Sequence, residues 1–276
     1  MTDIITVAIH YGGNMNFSEI DLRDRNYEWS MSELQSHGHF EIYCLTSGTR
    51  RYFYGDKIFN ISAPTVCVVP PFTLHKTEGG AFRRITLNAS ADVLTESEKA
   101  YLYELGKRGV YKLEGEKAGL FLEMLNESAE LSHDTPSGEK TSAYFIHVLL
   151  SLLKRTELIA YDTMDEKIGA KKEAPAMRAV SYINKHFNEN FTLDELCGQL
   201  FMSKNTLCAD FRALMKCSVM EYRTFIRISR AKELLSSTKM RLEEIAAECG
   251  FSSANYLGLI FKKEVGISPL NYRKVK

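Results

Sequence analysis

Apolar residues recur three and four apart twice between residues 190 and 275, each time as two short runs with a tight break between them. The first set is Leu193, Leu196, Cys197 and Leu200, then Phe201-Met202-Ser203, then Leu207 and Phe211. The second is Leu242, Ile245, Ala246 and Cys249, then Gly250-Phe251-Ser252, then Tyr256, Leu257, Ile260 and Phe261. Placing Ser203 over Ser252 gives an offset of 49. After one extra residue it becomes 50 and pairs Phe211 with Phe261, Ser218 with Ser268, Tyr222 with Tyr272 and Arg223 with Arg273. Each stripe is the buried face of a helix. Ser203 and Ser252 are suited to cap the second helix of each pair, and Gly250 supplies a permissive backbone at the break. The prediction is helix, turn, helix, written twice, so that one module serves twice. Two helical hairpins inside a bundle, with no further role, would read the same way.

The pattern differs upstream. Residues 1–95 hold short alternating runs at Ile4–His10, Glu28–Leu34, Phe40–Leu45, Arg50–Tyr54, Lys57–Ile61, Val66–Val69 and Phe82–Leu87. Gly12-Gly13, Ser47-Gly48, Gly55-Asp56, Ala63-Pro64, Pro70-Pro71 and Gly79-Gly80 mark turns between them. Strands at this spacing predict a small barrel or sandwich, whose interior suits a small ligand. Residues 96–165 return to helical spacing, with a loop at Ser132–Lys140. The helix carrying Phe145, Ile146, Leu149, Leu150, Leu152 and Leu153 has enough apolar surface for a subunit interface or for a cap on the barrel. A polar linker at 166–175 precedes a C-terminal domain over 176–276. Between the repeats, Val219–Leu235 reads as one long helix that fixes their separation.

Formal net charge is zero, but the halves differ. Residues 1–170 hold 17 Lys and Arg against 24 Asp and Glu, whereas 171–276 hold 18 against 11. A basic C-terminal module is what meets phosphates. The cysteines at 44, 67, 197, 208, 217 and 249 form no C-x-x-C pair and read as reduced, buried small hydrophobes. No stretch suits a secretory leader or a membrane span, so a soluble, cytoplasmic protein is expected. No nucleophile triad, phosphate loop or dinucleotide fingerprint stands out, and Tyr11-Gly12-Gly13-Asn14 is only a turn, so no catalytic residue and no cofactor are expected.

Residues 176–275 closely resemble the DNA-binding domain of the AraC/XylS family of bacterial transcription regulators. The resemblance rests on Phe191-Thr192-Leu193 with Leu196, on Ser203, Leu207 and Phe211, and on Arg230-Ala231-Lys232-Glu233-Leu234-Leu235. It continues through Ile245-Ala246, Gly250-Phe251-Ser252, Tyr256, Phe261-Lys262-Lys263, Gly266-Ile267-Ser268-Pro269 and Tyr272-Arg273. His37, Phe40-Glu41-Ile42-Tyr43, Gly48, Val68-Val69-Pro70-Pro71 and His75 resemble the cupin-like effector domain of such regulators. Ala63-Pro64-Thr65 departs from that family's Pro-Gly-Asp turn. The implied fold is α+β: a cupin-like β-barrel over 1–95, a helical dimerisation segment over 96–165, and an all-α domain with two helix-turn-helix motifs. Double-stranded DNA, a small-molecule effector, a second copy of the chain and RNA polymerase are the implied partners.

For reading bases, the first recognition helix, Lys204–Leu214, offers Asn205, Thr206, Cys208 and Ala209. The second offers Ser253, Ala254, Asn255, Gly258 and Leu259. Asparagine pairs bidentately with adenine, and small side chains accept a thymine methyl. The family often has arginine where Ala209 and Leu259 stand, so the expected readout either leans on apolar contact and DNA shape or leaves one helix weakly specific. Ser203, Lys204, Arg212, Lys216, Arg227, Arg241, Ser252, Lys262 and Lys263 are the phosphate candidates. For the effector, His37 and His75 lead, with Trp29, Tyr43, Tyr52 and Arg83 behind them. His37, His39 and His75 invite a metal, but Glu41 follows His39 too soon for the metal-binding cupin pattern, and no metal is expected. The resulting reading is an effector-controlled, sequence-specific transcription activator and not an enzyme. Its alternatives are an effector-independent regulator or repressor and a metal-dependent cupin enzyme with a basic appendage.

Overall fold

The computed structural model describes residues 18–31, 34–133, 138–163 and 175–275. The strand expected at Ile4–His10, the Tyr11–Asn14 turn, residues 166–174 of the linker and the middle of the Ser132–Lys140 loop lie outside the described residues.

Eight strands form one sheet: β1 (Ser18–Arg25), β2 (Phe40–Tyr54), β3 (Lys57–Ser62), β4 (Thr65–Val69), β5 (His75–Glu78), β6 (Phe82–Ala89), β7 (Val110–Glu114) and β8 (Glu157–Ala160). The bonded path runs β1-β6-β2-β4-β7-β8, and β3 and β5 also pair with β2. Among the described residues β1 and β8 do not pair with each other, so the sheet is open. This corrects the cupin-like β-barrel and the fold class built on it, since a barrel requires its last strand to bond its first. Alternation along each strand defines two faces but not whether the sheet closes. It also missed β7 and β8, which come from the stretch read as helical and extend the sheet beyond β4.

Strand β2 spans what the sequence split into Phe40–Leu45 and Arg50–Tyr54. The supposed turn at Ser47-Gly48 is a bulge: the register with β6 slips between Leu45 and Ser47. Gly48 has φ 89°, and a Cβ there would lie 2.2 Å from the Ala81 carbonyl oxygen, so only glycine fits. The bulge lets one strand serve two sets of partners, β4 and β6 before it and β3 and β5 after it. No strand occupies 28–31, and residues 32–33 of that expected strand lie outside the described residues.

Helices α1 (Glu96–Gly106), α2 (Glu116–His133) and α3 (Gly138–Leu153) cover one face of the sheet. Phe121, Leu125, Ile146, Leu149, Leu150 and Leu153 share a buried cluster with Phe40, Ile42, Val66 and Leu87. The apolar stripe of α3 is therefore spent largely inside this chain. Tyr144 and Val148, one turn apart on that helix, stay exposed.

The C-terminal domain is all helix: α4 (Pro175–His186), α5 (Leu193–Leu200), α6 (Lys204–Met215), α7 (Val219–Ser237), α8 (Leu242–Glu248), α9 (Ala254–Val265) and α10 (Pro269–Val275). Reciprocal caps start α5, where Thr192 and Glu195 satisfy each other's backbone, and α7, where Ser218 and Glu221 do the same. Of the six free cysteines, Cys208 is exposed and Cys217 half-buried; the other four are buried as expected.

Candidate nucleic-acid interface and ligand site

The two copies match down to single contacts. Tyr222 meets Phe211 edge-on at 5.5 Å, and Tyr272 meets Phe261 edge-on at 5.4 Å. Arg223 donates to the Phe191 carbonyl at 2.8 Å, and Arg273 donates to the Met240 carbonyl at 2.7 Å. Each arginine thereby ties the helix after a recognition helix back to the chain entering the unit, which fixes the recognition helix between them.

Helices α6 and α9 occupy the positions expected of recognition helices. Leu207, Phe211 and Met215 are buried on α6, and Leu257, Phe261 and Val265 on α9. Asn205, Thr206, Cys208 and Ala209 are exposed on α6, as are Asn255 and Leu259 on α9; Ala254 and Gly258 are half-exposed. The exposed faces carry the residues proposed to meet bases. Ser203 caps α6 by accepting from the Thr206 amide at 3.2 Å. On the second copy the cap is Ser253, which accepts from the Tyr256 amide at 3.1 Å, and not Ser252. The extra residue thus lies in the turn: Phe201 and Gly250 hold corresponding left-handed positions, with φ 54° and 75°.

The phosphate candidates divide. Arg212, Lys216, Lys262 and Lys263 are exposed at the ends of α6 and α9. Lys204 reaches Asp194 at 3.1 Å, and Arg241 reaches Glu244 at 3.1 Å, both on the surface where a phosphate can compete. Arg227 is buried and spends its guanidinium on the Phe187 and Glu189 carbonyls at 2.6 and 2.9 Å. It serves as a cross-link within the fold and does not reach phosphate, a role that spacing along α7 cannot reveal.

In the N-terminal half, Tyr43 and Tyr52 come from the two halves of β2 with ring centroids 5.3 Å apart. Both are buried; among the described residues the Tyr52 hydroxyl and Nη2 of the buried Arg50 have no hydrogen-bond partner, and the Tyr43 hydroxyl lies near Thr77 and Arg50. Orphaned polar atoms this deep carry a desolvation cost unless something meets them. Trp29 stacks toward Phe82 at 5.9 Å, with the Arg50 guanidinium 4.3 Å above the Phe82 ring. A cleft of about 480 Å³ opens beside Arg50, between Ser30, Asn60 and Gly80. The sequence did not single out Arg50, because one arginine within an alternating run looks like a solvated position. Arg83 stands apart, 3.6 Å from Glu130 across the surface.

His37 and His75 meet over Glu41, whose Oε2 lies 3.2 Å from His37 Nε2 and 3.7 Å from His75 Nε2. Burial pushes the Glu41 carboxyl up, but His75, His37 and Arg84 overcome this and hold it well below the usual carboxylate range. Burial likewise holds the His75 ring below the ordinary imidazole value, against the pull of Glu41. His39 stacks on His37 at 3.8 Å and is not part of the group.

This group lies beside the C-terminal domain. The His37 carbonyl accepts from the Phe72 amide at 2.7 Å, and the Phe72 carbonyl accepts from Ser229 Oγ of α7 at 2.8 Å. Ser229 Oγ is also 2.7 Å from Ser36 Oγ. Phe53 and Ile58, from the sheet, belong to the buried cluster of the first helix-turn-helix unit, with Leu34 and Leu74 against it.

Residues 17–147 match the model of an AraC-like ligand binding domain, and residues 196–275 match that of a helix-turn-helix domain. The chain is 23% identical over 277 residues to the HTH-type transcriptional activator RhaR of Mannheimia succiniciproducens, covering 99% of this chain and 98% of that one. It is 28% identical over 147 residues to the RhaR of an Enterobacter strain, covering 53% of this chain and half of that relative's length. Solved structures that match include the DNA-binding domain of AdpA in complex with a target DNA, at 28% identity and TM-score 0.36, covering 37% of this chain and 92% of that one. ToxT from Vibrio cholerae matches at 15% identity and TM-score 0.37, covering 94% and 98%. The family matches and relatives are regulators, not enzymes, and no described helix is long and apolar enough to cross a membrane.

Proposed function

We propose, from the premise that this chain is a DNA-binding transcriptional regulator of the AraC/XylS type, that it is an activator controlled by a small effector in its N-terminal half. The name of the relatives supports activation, and the match to a ligand-binding domain supports an effector. The buried Tyr52 hydroxyl and Arg50 Nη2, without partners among the described residues, favour a small polyhydroxy or carboxylate compound, which supplies hydrogen-bond partners.

The observation that carries this reading is the run from His37 through Phe72 to Ser229. An effector that shifts the segment before β2 moves the Phe72 carbonyl, and with it the helix joining the two recognition units. Such a ligand acts only through different affinities for the two arrangements. Asn205 and Asn255 read bases on this account, while Ser203, Lys204, Arg212, Lys216, Arg241, Lys262 and Lys263 hold phosphates. The regulator works in the cytoplasm, pairs with a second copy through the exposed Tyr144 and Val148 face, and touches RNA polymerase once on DNA.

The test is affinity for the regulator's own promoter DNA, with and without a panel of sugars, polyols and carboxylic acids. Asn205→Ala and Asn255→Ala should each weaken binding to the specific site by about 1–3 kcal/mol and leave random DNA unaffected. Ser229→Ala should keep affinity in the absence of effector and lose the response to it. Equal response in wild type and Ser229→Ala defeats the proposed route.

A further inference from the structure

We infer that His37, Glu41 and His75 form a binding site for a divalent transition-metal ion. The inference is independent of effector control and goes beyond it.

Nδ1 of His37 lies 3.1 Å from the His39 carbonyl oxygen, and Nδ1 of His75 lies 3.0 Å from the Thr73 carbonyl oxygen. A carbonyl only accepts, so each Nδ1 carries its hydrogen, and in the neutral ring each Nε2 is left as a lone pair. Both lone pairs face the same oxygen of Glu41. Three polar atoms then converge on one point, where either a proton on Nε2 or a metal cation at the centre satisfies them.

The spacing suits one. The three ligand atoms all lie within 4.8 Å of one another. A tetrahedral ion with bonds of roughly 2.1 Å sets its ligands about 3.4 Å apart, so the residues need close only slightly around it. A backbone carbonyl holding the far nitrogen of each imidazole is the outer-shell support that orients metal-binding histidines. Two imidazoles and one carboxylate select zinc, nickel, cobalt or iron over magnesium or calcium, and they leave coordination positions for water or an added ligand.

The sequence pointed elsewhere because it tested the spacing of His39 with Glu41. The structure instead uses His37, four residues before Glu41, and brings in His75 from β5 through the Gln35 to His75 bridge. The bound ion would clamp the segment holding Ser36 and His37 to the one holding Phe72 to His75, and both contact Ser229 of α7.

The full chain, stripped with a chelator and titrated with Co2+ alone, should bind one equivalent and develop a d–d absorption band without thiolate charge transfer. His37→Ala and His75→Ala should each cut affinity tenfold or more, with helical and sheet circular dichroism unchanged. Wild-type chain with free Co2+ at about a hundred times Kd should melt about 5 °C higher than the stripped chain. X-ray absorption on zinc-loaded wild type, which needs no variant to fold, should show two imidazoles and oxygen in the first shell. Absence of saturable binding, a sulfur-containing shell, or affinity unchanged in both histidine variants overturns the site.

Discussion

The two helix-turn-helix units share a plan but not a neighbourhood. The first unit's core, with Leu207, Phe211, Val180 and Tyr222, takes in Phe53 and Ile58 from the sheet. Among the described residues, the second unit's core, with Leu257, Phe261, Ile245 and Leu235, contains none from the N-terminal half. Helix α7 serves both, giving Tyr222 to the first cluster and Ala231, Leu234 and Leu235 to the second. A cleft of about 370 Å³ has Leu34 of the N-terminal half, Lys216 and Met220 of the first unit's side and Lys263 of the second on its walls. Duplication therefore supplied two helix-turn-helix units, and the sheet contributes to the core of the first of them.

The largest expected effect comes from removing the aromatic at the heart of each unit. Phe211→Ala and Phe261→Ala should each cost about 3–5 kcal/mol, because each empties a fully buried site. The single tryptophan, Trp29, lies in the N-terminal half and reports on it alone. Tryptophan fluorescence during urea unfolding should shift its midpoint in Phe211→Ala and keep it in Phe261→Ala; equal shifts would erase the distinction between the units.

The turns sharpen the comparison. At Gly250 an added Cβ would sit 2.3 Å from the Asn188 carbonyl oxygen at φ 75°, so Gly250→Ala should cost about 2 kcal/mol or more. Phe201, at the corresponding place in the first unit, is 93% exposed with φ 54°, and Phe201→Gly should stabilise by about 1 kcal/mol. Thermal melts of both variants check the opposite signs.

The caps come next in size. Ser203→Ala and Ser253→Ala should each lose about 1 kcal/mol, and Ser252→Ala should lose almost nothing. A substantial loss at Ser252 would restore the register that the sequence suggested.

That register shows what the chain reveals about itself. Helical stripes fixed by Leu207 and Phe211, or by Leu257 and Phe261, are legible because burial repeats with the helix period. Which of two adjacent serines caps α9 is not, since both have the hydroxyl and only backbone geometry separates them. Exposure of Asn205 and Asn255 followed from the same stripes. The burial of Arg227 did not, because its partners, the Phe187 and Glu189 carbonyls, lie 40 and 38 residues away. The open sheet was hidden for a similar reason: strand periodicity is local, whereas the pairing of β7 with β4 and β8 joins distant segments. His37 and His75 were visible as effector candidates and Glu41 as part of the family pattern, but their convergence depends on the long-range bridge between Gln35 and His75.

That the first unit shares its core with the N-terminal half and the second does not can be tested directly by backbone hydrogen exchange in the full chain carrying Phe53→Ala. Loosening this apolar join should speed exchange in α4 to α6 and leave α8 and α9 at wild-type rates. Equal acceleration in both units, or none in either, would contradict it.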